Sequence, residues 1–171
     1  MRPALHVIAW PGPGRLATMA HTRGGVDLAA DMAGLARAGV DVVVSALTGP
    51  EHDRLGLTEV SGAAAEAGIT WLSFPIPDRG VPSAEDLRSD TETLALGIRL
   101  AAHVRAGRFV VTQCFAGIGR STLLAAVTLV MLGVDAEEAL RMVADARGLP
   151  VPDTTAQRDW LLSFAATHAG R

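Results

Sequence analysis

The stretch RFVVTQCFAGIGRST, residues 108–122, decides the fold and directs the search for a function. It begins with a β-rich apolar run and continues into the chain's only cysteine, Cys114, followed by Gly117 and Gly119. Glycines free the backbone to curl, so that successive N–H groups can point inward and bind an anion. A helix beginning near Arg120 would add its positive end to the same place, and the arginine could hold two oxygens of a tetrahedral oxyanion. We therefore predict a thiolate, a backbone cradle and an arginine arranged to attack phosphorus. The alternative is a buried structural cysteine beside a glycine turn.

Strand and helix patterns alternate on both sides of this stretch. Predicted strands lie at residues 5–10, 41–47, 69–74 and 108–113. Predicted helices lie at residues 26–38, 58–67, 84–106, 120–132, 136–146 and 155–167. This order predicts one α/β domain over residues 1–171, with a central, mostly parallel sheet flanked by helices on both faces. Ligands bind at the carboxyl ends of the strands in such sheets, and Cys114 falls at one of these ends.

Local signals mark the ends of several of these helices. Ser83 is the predicted N-cap of the helix at 84–106, with Asp86 reaching back to it, and Gly107 is expected to close the helix. Asp135 is the predicted N-cap of the next-to-last helix and Gly148 its predicted C-cap.

Composition excludes several classes of function. Apolar residues make up 49% of the 171, but the longest uncharged apolar run, 122–134, is too short to span a bilayer. No secretory signal is readable at the N-terminus. One cysteine excludes an internal disulfide, and the five scattered histidines suggest no metal site. A net charge of −3 gives no support to nucleic-acid binding. We expect a soluble cytoplasmic protein without cofactor or metal that binds neither membranes nor nucleic acids.

The cysteine stretch resembles the Cys-x5-Arg-Ser/Thr signature of the cysteine-dependent protein tyrosine phosphatase superfamily. It is most similar to the dual-specificity branch, near the kinase-associated phosphatases. FPIPDRGVPS, residues 74–83, resembles that family's general-acid loop, and residues 22–47 resemble its N-terminal helix and strand. The resemblance covers the chain from about residue 22 to residue 162.

This resemblance implies a role for each matching residue. Cys114 would attack phosphorus and form a thiophosphate ester, and Arg120 would stabilise the equatorial oxygens. Ser121 would hydrogen-bond the sulfur when it leaves, and Asp78 would protonate the leaving group and then activate water. The backbone of the loop would bind the phosphoryl group through Phe115, Ala116, Gly117, Ile118 and Gly119.

Several of these assignments have structural alternatives. Asp78-Arg79-Gly80 is also good chemistry for an ordinary turn, and Asp86 is the second choice as the acid. Ser121 could be an early helix residue, and Arg79 could seat a phosphorylated substrate or lie in solvent.

A second segment, residues 153–157, faintly resembles the family's water-positioning pattern Gln-Thr-x-x-Gln. Asp153 stands at its first position, so of the two glutamines in the pattern only the second, Gln157, is present. A helix N-terminus capped by Asp153 is the alternative explanation.

The chain also departs from the family. Gln113 stands where members usually carry a histidine, and glutamine cannot become cationic, so we expect weakened activity. Phe115 and Ile118 occupy positions that carry lysines in phosphoinositide phosphatases. The chain contains no tyrosine, so the tyrosine-bearing recognition loop of tyrosine-only phosphatases is missing. A shallow pocket that accepts phosphotyrosine, phosphoserine and phosphothreonine would follow.

The sequence leaves several functions open. A metal-independent phosphomonoester hydrolase acting on phosphorylated proteins is our main prediction, with a small phosphate ester as the competing substrate. Gln113 makes a phosphate-binding pseudophosphatase with little turnover conceivable. A cysteine-based arsenate reductase or sulfurtransferase is the third class, although the chain has no second thiol to resolve such a reaction.

Overall fold

The computed structural model describes residues 3–83 and 89–169. Within these ranges, five strands form one sheet, in the order β1-β2-β5-β3-β4. The strands are β1 His6–Val7, β2 Arg15–Ala20, β3 Val42–Ser45, β4 Thr70–Ser73 and β5 Phe109–Cys114. β1 pairs with β2 in the antiparallel sense, and the other neighbours are parallel. β5, which ends in the cysteine, therefore lies at the centre of the sheet.

Helices cover both faces of the sheet. They are α1 Leu28–Arg37, α2 Gly49–Arg54, α3 Val60–Glu66, α4 Asp90–Arg105, α5 Arg120–Met131, α6 Ala136–Arg147 and α7 Thr155–His168, and a 3₁₀ turn at Gly25–Asp27 precedes α1. Strand residues alternate between two apolar clusters: Val110 packs in the cluster that includes α4 to α7, and Val111 packs in the cluster that includes α1 and α3. This alternation is the two-residue period of a strand buried on both faces.

α5 is the helix that follows the cysteine loop, and every one of its residues is buried. It packs against α4, α6 and α7 as well as against the sheet. After its polar first turn α5 is almost entirely apolar, as expected of a helix in the interior, and its burial fixes its N-terminus below the end of β5. Among the described residues, no helix is both long and apolar enough to cross a membrane.

The predicted fold class is confirmed: the fold is α/β, with a mostly parallel sheet between two helical layers. The sequence analysis missed β2 and α2. It also extended the first strand to residues 5–10, where only His6–Val7 pairs. β2 was missed because it follows a Pro- and Gly-rich run, and its residues become strand-like only through pairing with β5.

One predicted helix start was wrong, and so was the suggested cap of α7, although α7 begins at Thr155 as predicted. α4 begins at Asp90, where Ser89 is the N-cap and forms a capping box with Glu92. The predicted partner of Ser83, Asp86, lies outside the described residues. α7 is capped by Thr154 rather than by Asp153, again in a capping box, with Gln157. The predicted caps of α6, Asp135 and Gly148, are confirmed.

Candidate active site

The loop between β5 and α5 lies at the carboxyl end of the central strand. Cys114 is the last residue of β5, and Arg120 is the first residue of α5. Gly117 has a φ of +72°, and a Cβ at this position would lie 2.8 Å from the backbone N of Ala20. Only glycine combines that backbone conformation with such a close approach, so Gly117 lets the loop curl against the end of β2.

Cys114 and Ser121 lie together beneath this loop. Cys114 is 2% exposed and Ser121 is fully buried. Their side chains approach within hydrogen-bonding distance, with 3.3 Å between Sγ and Oγ. The hydroxyl of Thr112 donates to the backbone carbonyl of Ser121 at 2.8 Å and ties the first turn of α5 to β5. Ser121 is thus the second residue of α5, as the alternative interpretation predicted, and it also contacts the thiol.

Arg120 is held by a carboxylate that the sequence analysis did not single out. Its Nη1 and Nη2 each donate to one carboxylate oxygen of Glu51 at 2.8 Å. Nη1 also donates to the carbonyl of Ile76 at 3.0 Å. Arg120 is 2% exposed and Glu51 5%, so the pair is buried. Bidentate geometry of this kind fixes the orientation of a guanidinium group.

Burial and ion pairing shift the pKa values of Glu51 and Arg120 in opposite directions. Burial alone would raise the pKa of Glu51, but hydrogen bonds from Arg120 and from the backbone N–H of Thr48, together with the charge of Arg120, lower it to about 2. Burial likewise opposes the charged form of Arg120, and Glu51 more than offsets this and raises the pKa of the guanidinium. Both groups are therefore charged at neutral pH.

Asp78 lies in a tight turn above Arg120. The turn is closed by a hydrogen bond from the Gly80 N–H to the Pro77 carbonyl at 2.8 Å, and Arg79 has a positive φ of 59°. The Asp78 side chain is 70% exposed, and its Oδ1 accepts from Arg120 Nη2 at 3.3 Å. Asp78 therefore lies in a turn, as the alternative interpretation predicted. This turn borders the cysteine loop.

A pocket of about 200 Å³ joins these elements, lined by Asp78, Arg79, Cys114, Phe115, Ala116, Gly119, Arg120 and Asp153. Of the residues predicted for the site, Gly117, Ile118 and Ser121 do not line this pocket. A larger cavity of about 680 Å³ lies between β1 and α6, and its lining contains neither the thiol nor Arg120. Among residues 3–83 and 89–169, no cluster of histidine, cysteine and acidic side chains is arranged to hold a metal ion.

Gln113 is the residue of β5 that immediately precedes Cys114. Its side chain is fully buried, and Nε2 donates to the Ser45 hydroxyl at the end of β3, at 3.0 Å. Its Oε1 has no hydrogen-bond partner among the described residues. The glutamine thus links the ends of β5 and β3.

The C-terminal segment also reaches the site. Gln157 is fully buried, and its Nε2 donates to the carbonyl of Gly80 at 3.0 Å. A Cβ at Gly119 would lie 2.9 Å from Asp153 Oδ2 and 3.0 Å from the amide atoms of Gln157. Both residues therefore lie against the loop that carries the thiol.

The sequence analysis missed Glu51 because its partner is 69 residues away. Its one local signal was the pattern Thr48-x-x-Glu51, a capping box, which the structure confirms at the start of α2. A capping box explains an exposed glutamate equally well, so the pattern alone could not identify the partner of Arg120.

The fold is that of the protein tyrosine phosphatases. A crystal structure of kinase associated phosphatase, with its catalytic-site cysteine replaced by serine, superposes with a TM-score of 0.83 at 18% identity and covers 100% of this chain and 98% of that one. The active form of Tk-PTP matches with a TM-score of 0.71 at 26% identity, over 93% of this chain and 99% of that one.

One curated relative is similar in sequence. Cyclin-dependent kinase inhibitor 3 of Rattus norvegicus is 32% identical over 99 residues, which cover 57% of this chain and 44% of the relative. The match thus spans less than half the length of that protein. No model of a known protein family matches the chain. The resemblance to the dual-specificity branch, near the kinase-associated phosphatases, is confirmed by these similarities.

Proposed function

We propose that this chain is a metal-independent phosphomonoester hydrolase of the dual-specificity type that acts through a cysteinyl-phosphate intermediate. The observation that carries the proposal is that Cys114, Arg120 and Asp78 line one pocket at the carboxyl end of the central strand. The fold shared with kinase associated phosphatase and Tk-PTP supports it.

The first step transfers the phosphoryl group to sulfur. The Cys114 thiolate attacks phosphorus, so a P–S bond forms while the P–O bond to the leaving group breaks. Asp78, protonated at this stage, gives its proton to the departing oxygen, because an alkoxide or phenoxide is a poor leaving group. The N–H groups of residues 115–119 and Arg120 stabilise the charge on the equatorial oxygens.

The second step releases phosphate. Water attacks phosphorus and gives a proton to Asp78, and the P–S bond breaks to return the thiolate. Ser121 donates a hydrogen bond to the leaving sulfur, in keeping with the 3.3 Å between Oγ and Sγ. The nucleophile and the acid are then both restored for another cycle.

Arg120 binds the phosphoryl group with only part of its donor set. A guanidinium has five N–H donors, and here those of Nη1 and Nη2 point to Glu51, Ile76 and Asp78. Glu51 and Ile76 hold the group in place, whereas Asp78 is an exposed partner at 3.3 Å. A phosphoryl oxygen would replace Asp78 on Nη2 and leave the carboxyl group free to reach the leaving oxygen.

We place phosphorylated proteins first among the substrates. The pocket is small, about 200 Å³, and Phe115 on its lining is 48% exposed, so the phosphorylated residue would enter from an open surface. Such a pocket is suited to phosphotyrosine, phosphoserine and phosphothreonine, and a small phosphate ester is the competing substrate. The single free thiol, Cys114, suits a reducing compartment, and we propose a cytoplasmic location.

Hydrolysis of para-nitrophenyl phosphate in EDTA, by the wild type and by Cys114→Ser, tests the proposal. We expect turnover by the wild type and none by the variant. Turnover that survives the substitution would contradict the thiolate mechanism. Tight vanadate binding without any turnover would favour the pseudophosphatase. Activity on phosphorylated peptides compared with small phosphate esters would then decide the substrate class.

A further inference from the structure

The amide of Gln157 connects three parts of the site. Its Nε2 donates to the carbonyl of Gly80, in the turn that carries Asp78. Its Oε1 accepts from the backbone N–H groups of Asp153 and Thr154, at 3.0 and 3.2 Å, at the start of α7. The same amide lies against Gly119 in the thiol loop.

These bonds leave Gln157 poorly placed to orient a water molecule. The side chain is fully buried, and its carbonyl oxygen already accepts two hydrogen bonds. A carbonyl oxygen has two lone pairs, so both are used. The amide oxygen is therefore bound to the protein backbone, and one N–H of Nε2 is bound to Gly80.

The turn that carries Asp78 is held on its N-terminal side by Ile76, whose N–H donates to the carbonyl of Ala46 and whose carbonyl accepts from Arg120. Asp78 is 70% exposed and contacts Arg120 at 3.3 Å, a partner that it would lose to a bound phosphoryl group. Within the turn, Arg79 has a positive φ, a conformation that non-glycine residues seldom adopt. α7, in contrast, is anchored in the core through Leu161 and Phe164. The hydrogen bond from Gln157 to Gly80 attaches the turn to this helix.

We propose that Gln157 is a positioning residue that holds the carboxyl group of Asp78 where it can protonate the leaving oxygen. The inference rests on the proposed phosphatase function. It assigns no contact between Gln157 and the substrate. Its effect is exerted through the carbonyl of Gly80.

Gln157→Glu separates this effect from the stability of α7. A glutamate at this position of a capping box can still accept the N–H groups of Asp153 and Thr154, but its carboxylate cannot donate to Gly80. Thr154→Ala is the matched control, because it removes the cap hydroxyl that accepts the Gln157 N–H and leaves the bond to Gly80 in place. Gln157→Met, which loses the donor without adding charge, serves as the second variant if the glutamate variant does not fold.

The measurement is kcat/KM for phenyl phosphate and for para-nitrophenyl phosphate. The nitro group stabilises the departing phenolate, so hydrolysis of para-nitrophenyl phosphate depends much less on protonation of its leaving group. General acid catalysis contributes about 10²–10⁴-fold, so we expect Gln157→Glu to lower kcat/KM for phenyl phosphate by about tenfold or more and for the nitro compound by less than about threefold. Thr154→Ala should keep the wild-type ratio. Equal losses on both substrates would overturn the inference. The two substrates share the phosphoryl group and differ only in the leaving group, so equal losses would mean that Gln157 does not act through protonation of the leaving group.

A double-mutant cycle with Asp78→Asn completes the test. If Gln157 acts only through Asp78, adding Gln157→Glu to Asp78→Asn should change kcat/KM for phenyl phosphate by less than about twofold, since coupled residues are non-additive. A further tenfold loss would overturn the inference. Wild-type turnover that does not depend on Cys114 would refute the proposed function itself and this inference with it, so the two failures are distinguishable.

Discussion

Arg120 carries a full charge at a place that is almost closed to solvent. Its side chain is 2% exposed, and its bidentate partner Glu51 is 5% exposed. An isolated charge at such a site would be very unfavourable, so the pair has to form if the arginine is to remain beside the thiol loop. Glu51 thus orients the arginine and makes its burial tolerable.

Glu51→Gln should lower the free energy of unfolding by about 3–5 kcal/mol at neutral pH, because it leaves a buried arginine without its counter-charge. The pH dependence gives a sharper test. The folded pKa of Glu51, about 2, lies below its ordinary value of 4.5, so its stabilising contribution is complete above pH 4.5 and is lost as the pH falls towards 2. The wild type should therefore lose more stability than Glu51→Gln across this interval.

Urea unfolding at several pH values measures this difference. Glu66→Gln, a change to an exposed carboxylate at the end of α3, is the matched control and should follow the wild type. Parallel curves for the wild type and Glu51→Gln would show that the pair has no role in acid stability.

At the residue scale, the sequence predicted what is local. Cys114, Arg120 and Ser121 lie within eight consecutive positions, and the structure brings them together. Asp78 was predicted from a resembling segment, and it lies beside Arg120. Glu51 and the link from Gln157 to Gly80 could not be predicted, because their partners lie 69 and 77 residues away and only the folded chain makes these contacts. The bond from Gln113 to Ser45 was missed for the same reason.

At the element scale, α4 and α5 approach closely at one glycine. A Cβ on Gly97 would lie 2.7 Å from Cγ1 of Val127 and 3.0 Å from Cγ of Met131. Gly62 is also in a helix, α3, but a Cβ there would have no neighbour within 4 Å. Both glycines are therefore helical, but only Gly97 lies against another helix.

Gly62→Ala should stabilise the protein by about 0.5–1 kcal/mol, because alanine favours the helix. Gly97→Ala gains the same helix propensity but overpacks the contact with α5, so we expect its stability to fall below that of Gly62→Ala by about 1–3 kcal/mol. Thermal or urea unfolding of the two variants measures the difference. Equal effects would mean that α4 moves away from α5 at no cost.

Elements with signals of their own were predicted well, and elements that depend on neighbours were not. α6 has Asp135 at its start and Gly148 just past its end, and its predicted bounds differ by one residue from those observed. β2 has a short mixed sequence, RLATMA, and is stabilised by its parallel pairing with β5, which a linear pattern does not contain. The six-residue α2 is too short for a helical period to stand out.

At the scale of the whole molecule, oxyanion binding should be linked to stability. An oxyanion that binds the folded state alone raises the free energy of unfolding by about 2.7 kcal/mol at 100 times its Kd, or roughly 5–10 °C in Tm for a domain of this size. We expect inorganic phosphate to stabilise the wild type in this way. Asp78→Asn should bind phosphate more tightly, because Arg120 then loses an anionic partner that competes for Nη2.

Thermal unfolding at increasing phosphate concentrations, with chloride at matched ionic strength as the control, measures both effects. A Tm that does not rise with phosphate would contradict an anion site at this loop. Equal phosphate affinities for the wild type and Asp78→Asn would show that the carboxylate does not compete with the anion.

The single thiol at the base of the pocket also gives the chain one site for thiol-directed labelling. Because Cys114 is the only cysteine in the sequence, any thiol-directed probe that attaches reports on this pocket and on no other place in the chain. Its 2% exposure means that the size and charge of the reagent should govern labelling, so compact anionic alkylating agents should enter where bulky neutral maleimides do not. Intact-mass analysis would then give the fraction of molecules labelled in the pocket, without the use of a substrate.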